Sequence, residues 1–238
     1  RGRTGGHPVR RAVIVLGILA ALAGVVVIAV ISWSAASRPG AEARRNPVTA
    51  PAIDAASAQE MLSRLPTVSG VVDAPYQRDL FGERWADVDG NGCDTRNDVL
   101  ARDLSAVVFR EGSGECKVLE GVLVDPYDGH TESFTSGEQT SPLVQIDHIV
   151  ALAWAWRHGA DRWSDAERLV FANDPANLVV TADEINSAKS DSGPAEWMPP
   201  AAASVCGYVI AWVSVVDAYD LGITGPDREA ARSALTRC

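Results

Sequence analysis

Residues Ala12 to Ile31 form a run of 20 residues without a charged side chain, directly behind Arg1, Arg3, Arg10 and Arg11. As a helix rising about 1.5 Å per residue, such a run spans roughly the 30 Å hydrocarbon core of a bilayer. A chain built this way cannot fold as one uniform body. It divides into an Arg-rich flank with a transmembrane anchor or signal (residues 1–36), a tether rich in Pro, Ala and Arg (37–52), and a folded body (53–238). The run is longer than the roughly 7–15 residues of a cleavable signal core, which favours a retained anchor. Ala41-Glu42-Ala43 resembles a small-residue cleavage site, so release is the alternative. The Arg flank is expected to stay cytoplasmic, with Trp33 at the far interface and the body outside. The expected location is therefore single-pass in the cytoplasmic membrane with an extracytoplasmic domain, or secreted if the signal is cleaved.

Charge follows the same division. Residues 1–50 hold seven Arg and one Glu, and the remaining residues hold 14 basic and 30 acidic groups. An acidic body argues against bulk basic attraction to nucleic acid, and any contact with phosphate needs a local Arg cluster or a bound cation. All four cysteines, Cys93, Cys116, Cys206 and Cys238, lie beyond the apolar run, where an even count in an oxidising compartment reads as disulfides. Of the three pairings, Cys93 with Cys116 and Cys206 with Cys238 are preferred, because each closes a local loop worth about 3 kcal/mol in the chain-entropy model. No Cys-x-x-Cys occurs, so a zinc ribbon is not indicated.

Within the body, short helices are predicted at Ala56–Leu65 and Asn97–Leu104, then a β-hairpin from Ala106–Arg110 and Cys116–Val124, closed by the turn Asp125-Pro126-Tyr127-Asp128-Gly129. A strand at Leu143–Val150 leads into a helix at Ala151–Arg157. Ser164-Asp165-Ala166-Glu167 and Thr181-Ala182-Asp183-Glu184 read as capping boxes, the first opening a helix to about Ala172 and the second a helix over Ala182–Lys189. A short strand at Asn177–Thr181 separates them, and helices at Val205–Tyr219 and Asp227–Thr236 close the chain. Trp154, Trp156 and Trp163 are read as packing in the helical insert, and His7 and His158 as no part of a site.

Chemistry concentrates in the sequence Gln145-Ile146-Asp147-His148-Ile149-Val150, where a carboxylate and an imidazole stand side by side at the end of an apolar strand. Asn177-Leu178 follows on a strand and Asn186-Ser187-Ala188-Lys189 on a helix. In that order these residues resemble the HNH, or ββα-metal, endonuclease superfamily. Further blocks are similar to an exported bacterial HNH endonuclease-like family: Trp85 to Asn97, Asp125-Pro126-Tyr127, Phe171 to Pro175 and Trp197-Met198-Pro199-Pro200. The resemblance covers about Arg84 to Cys238. It implies an α+β fold with a ββα-metal core, surrounding helices and a small hairpin, and a metal-dependent endonuclease acting on DNA and, by extension, RNA. No protein partner is indicated.

Phosphodiester hydrolysis needs a base for water and a cation for the charge gathering on phosphate. His148 fits the base, since neutral imidazole accepts a proton near pH 7. Asp147 and Asn186 are expected to offer oxygen ligands to one divalent ion, Mg²⁺ or Mn²⁺ in its place. The resemblance implies that Asn177 holds the loop that aims His148. Lys189 and Arg96 are candidate phosphate contacts. Separately, Asp87, Asp89, Asn91 and Asp98 match the oxygen positions of a calcium loop with Gly92 and Gly90 between them, although Asp98 stands where Glu is usual. The rival reading is thus an exported, non-catalytic calcium-binding module that contacts the cell envelope.

Overall fold

Asp147 and His148 end a strand whose partner lies thirty residues downstream, and this pairing organises the body. In the computed structural model, which describes residues 53–238, the element order is α1 (Ala55–Arg64), α2 (Thr95–Asp103), β1 (Ser105–Phe109), β2 (Val118–Val124), β3 (Thr131–Thr135), β4 (Val144–His148), α3 (Leu152–Arg157), α4 (Asp165–Asn173), β5 (Leu178–Ala182), α5 (Asp183–Lys189), α6 (Val205–Ala218) and α7 (Gly225–Leu235). The architecture is α+β. The strands form two antiparallel sheets, β1-β2-β3 and β4-β5. The apolar run Ala12–Ile31 lies outside the described residues, among which no helix is long and apolar enough to cross a membrane.

The β4-β5 ribbon separates two cores. In its register Ile146 faces Val180, Asp147 faces Val179 and His148 faces Leu178. Val144, Ile146, Leu178 and Val180 turn to a small core shared with Val99, Leu100 and Leu104 of α2 and its end and with Val118, Leu123 and Phe134 of the larger sheet. Because side chains alternate along a strand, Asp147 and Val179 turn the other way, toward the larger helical core. That core includes Trp154, Trp156, Phe81, Phe171 and Trp212, all 5% exposed or less, so Trp154 and Trp156 of the insert are packing residues.

Local signals explain most element ends. Ser164 and Glu167 form the reciprocal capping box that opens α4. Asp94 caps α2 through the Asn97 amide at 2.8 Å, and Thr224 caps α7. The second expected capping box does not form. Thr181 is buried and gives its hydroxyl to Asp125 at 2.7 Å, and α5 begins from Ala182 with no side-chain cap. The sheet also has a strand beyond the expected hairpin, β3, which pairs along β2 from Thr131 to Thr135 with only Phe134 buried. The disulfides pair Cys93 with Cys116 and Cys206 with Cys238, and no free cysteine remains.

Candidate active site

His148 sits at the end of β4, half-buried, and its ring is fixed from two sides. Nε2 lies 2.9 Å from the Ala172 carbonyl oxygen at the end of α4. A carbonyl only accepts, so Nε2 carries the proton and Nδ1 keeps the lone pair. The ring lies nearly parallel to Trp85, with centroids 6.5 Å apart and an interplanar angle of 11°. Trp85 itself holds a left-handed backbone (φ 62°), a conformation that a bulky side chain adopts only where its surroundings impose it. Burial, with lesser contributions from the nearby charges of Arg78 and Lys189, lowers the imidazole to about 4. His148 is therefore neutral across the physiological range.

Asn177 secures the turn that follows. It is fully buried, accepts the Val150 amide on Oδ1 at 2.8 Å and donates from Nδ2 to the Val150 carbonyl at 3.2 Å. Its own carbonyl accepts the Ile149 amide at 2.8 Å. Two residues past His148, the backbone is thus clamped by one side chain across the whole helical insert.

Asp147 occupies a different environment from the one expected of a metal ligand. Its Oδ1 accepts from Lys189 Nζ at 2.9 Å and its Oδ2 from the Tyr127 hydroxyl at 2.7 Å. Lys189 also donates to the His148 carbonyl at 2.8 Å and is 0% exposed, so its ammonium is spent inside the protein and does not face a phosphate. Burial pushes the Asp147 carboxyl above its ordinary value, against the stabilising ammonium and hydroxyl. The same burial and the adjacent carboxylate push the Tyr127 phenol far up. A divalent ion on Asp147 would share the carboxylate with the Lys189 ammonium, 2.9 Å from Oδ1, and be repelled by it. Asp147, with both oxygens already accepting beside an ammonium, thus does not fit an ion's oxygen shell in this arrangement.

The cleft in front of His148 encloses about 440 Å³, with Tyr76, Arg78, Asn186, Ser190 and Asp191 on its walls. Asn186 is half-buried at its edge. Asp191 is engaged by Arg157 at 2.7 Å. Arg96 lies elsewhere: its guanidinium donates to the Val144 carbonyl at 3.0 Å and holds the start of β4, a supporting position in place of the expected phosphate contact. In the Asp87 loop, Asp87, Asp89 and Asn91 turn their oxygens onto the loop's own amides, at 2.9 Å from Asp87 to Gly92 and 2.7 Å from Asn91 to Cys93. Asp98 is raised by burial, with Asp89, Asp94 and Asp87 adding to it. Among the described residues no three His, Cys, Asp or Glu side chains are grouped to hold a metal ion.

Three residues of the site carry no signal in the catalytic motif. Tyr127 and Asp125 come from the Asp-Pro-Tyr turn: Asp125 accepts the Tyr127 amide at 2.8 Å and the Ala182 amide at 2.7 Å, joining the turn to the start of α5. The block was visible in the sequence, but its hydroxyl-to-carboxylate contact was not. Arg78 lies in a 3-10 turn, Arg78–Phe81, just ahead of the first motif block, which begins at Trp85.

Residues 94–224, just over half of the chain, match the family described as "GmrSD restriction endonucleases, C-terminal domain". The matched span contains β4, β5 and α5 and leaves Arg78 outside. An "Uncharacterized secreted protein" of Arthroderma benhamiae (strain ATCC MYA-4681 / CBS 112371) is 38% identical over 193 residues, covering 80% of this chain and 89% of that protein. No solved structure matches. With His148, Asn177 and Asn186 all inside the matched span, the chain belongs to the GmrSD restriction endonuclease C-terminal domain family, and so to a family of nucleases.

Proposed function

We propose that the chain is an endonuclease that hydrolyses phosphodiester bonds in DNA, and in RNA as a second substrate, outside the cytoplasm. The observation that carries this reading is the His148 ring: its Nε2 proton is committed to the Ala172 carbonyl, which leaves Nδ1 as an unprotonated acceptor. A water held in the cleft gives its proton to Nδ1 as its oxygen bonds to phosphorus. The ester P–O bond opposite breaks, and the departing sugar oxygen takes up a proton from solvent. Asn177 keeps the base in line by clamping Val150. Lys189 and Tyr127 hold Asp147 and, through the His148 carbonyl, the end of the strand. An extracytoplasmic setting is supported by the two disulfides and by the secreted description of the relative.

The test is incubation of the purified chain with supercoiled plasmid and with a synthetic RNA, each in Mg²⁺, in Mn²⁺ and in chelator. Nicking by the wild type that falls about 10²–10⁴-fold in His148→Ala supports the reading, that being the range for loss of a general base. Full cleavage by His148→Ala, in a preparation free of other nucleases, overturns it. The chelator arm decides the role of a divalent ion.

A further inference from the structure

Arg78 is the exception among the arginines packed into this body. Arg168 spends its guanidinium on the carbonyls of Leu80, Ala160 and Trp163 and on Asp165. Arg228 donates to the carbonyls of Leu62 and Leu65, Arg102 to those of Pro175 and Leu178, and Arg96 to that of Val144. Each latches two elements. Arg78 Nη1 is equally withdrawn from solvent, yet it has no hydrogen-bond partner among the described residues. A buried charged donor left unpaired is costly, so a ligand acceptor is the natural complement. The carboxylates on the same cleft do not supply it, because Asp191 is paired with Arg157 and Asp147 with Lys189.

The group is also held in advance. Phe81, at the other end of the same 3-10 turn, is fully buried with its ring 6.3 Å from those of Trp156 and Phe171. Arg168 Nε bonds the Leu80 carbonyl at 2.9 Å, and Trp156 Nε1 bonds the Ala74 carbonyl at 2.8 Å just upstream. The turn is pinned on both sides, so Arg78 is held in place on the wall of the cleft that His148 lines, and little ordering cost falls on it when a ligand binds.

We infer that Arg78 is a substrate-binding residue that donates to the non-bridging oxygens of a nucleic-acid phosphate in the His148 cleft. The inference rests on the nuclease reading and adds the cation that the reading lacked, since Lys189 is sealed against Asp147. A guanidinium fork suits two phosphate oxygens at once, and in an otherwise acidic body it places positive potential where the diester must lie.

The test uses the full chain carrying His148→Ala, so that bound substrate is not consumed, and a fluorescent DNA duplex titrated at several NaCl concentrations. Arg78→Gln is expected to weaken binding about 10- to 100-fold, the range of one charge-assisted hydrogen-bonded contact. It is also expected to reduce the slope of log K against log [NaCl] by about 0.9, one phosphate's worth of released counterion. Arg78→Lys is expected to keep the slope while recovering only part of the affinity, because the charge remains and the fork is lost. Thermal unfolding of each variant separates misfolding from loss of contact. Unchanged affinity and slope in a folded Arg78→Gln overturn the assignment, and if the wild type still cuts DNA the nuclease reading survives. Arg78-dependent, salt-sensitive binding by a chain whose wild type cuts nothing supports Arg78 as a phosphate contact and overturns the nuclease reading. No binding by the parent overturns both.

Discussion

The pairing of Asp147 with Lys189 puts two opposite charges almost entirely out of water, and its value lies in being complete. Removing one partner of such a pair leaves the other buried and unpaired, which typically costs about 3–5 kcal/mol, whereas removing both costs much less. Lys189→Met is therefore expected to lower urea stability by about that amount, and adding Asp147→Asn is expected to return a large part of it. A double variant as unstable as the sum of the singles would show that the two groups are not coupled. Asn177→Ala removes an acceptor and a donor from Val150 at a fully buried position, with an expected cost of about 1–3 kcal/mol and a cleavage rate that falls because His148 loses its fixed approach. Unchanged stability and activity in that variant would sink the clamp. These residues also mark what the sequence conceals at this scale. Asp147, His148, Asn177 and Asn186 were visible by type and order. The fate of Lys189 was not, because α5 is a short helix with polar residues around most of its surface, and which of them is sealed depends on Tyr127 arriving from a distant turn.

Among the elements, legibility tracks how local the deciding interaction is. Ser164 and Glu167 needed only each other, so their capping box formed as read. Thr181 had the same spacing to Glu184, but a buried carboxylate from 56 residues upstream outcompeted the helix for its hydroxyl. Strand β3 escaped notice because Thr131-Glu132-Ser133-Phe134-Thr135 has no apolar alternation and is held by its ladder to β2. The segment after α5 carries a constraint of the same non-local kind. A Cβ added at Gly193 would lie 2.7 Å from Trp154 Nε1 and collide with Asp227 Oδ1, while the Gly193 carbonyl accepts the Glu196 and Trp197 amides. Gly193→Ala is thus expected to cost about 1–3 kcal/mol through overpacking. In a domain of this size that appears as a fall in melting temperature of about 2–4 °C per kcal/mol. A melting temperature equal to the wild type's would mean that this junction has room to shift.

For the molecule as a whole, covalent and protonic constraints act together. The bridges Cys93–Cys116 and Cys206–Cys238 close loops of 23 and 32 residues, so reduction is expected to cost about 3 kcal/mol for each, measured as a lower denaturant midpoint. Acid acts through the two imidazoles that burial lowers, His148 and, away from the cleft, His158. His158 is buried between helices, stacked on Trp154 with ring centroids 3.5 Å apart, and its Nδ1 donates to the Trp154 carbonyl at 2.6 Å. Its Nε2 is buried without a partner, so a second proton there would have nothing to bond. Burial lowers its folded-state value, outweighing the Trp154 hydrogen bond and the attraction of Asp227. In the unfolded chain the same imidazole titrates near its ordinary value of about 6.5. Below that pH the unfolded state binds a proton that the native state refuses, and stability falls as the pH falls. The expected result is that the wild type loses stability between pH 7.5 and pH 5.5, and that His158→Gln, though less stable at neutral pH, loses less over the same interval. Equal losses in the two proteins, followed by urea unfolding at both pH values, would assign the acid sensitivity to other groups.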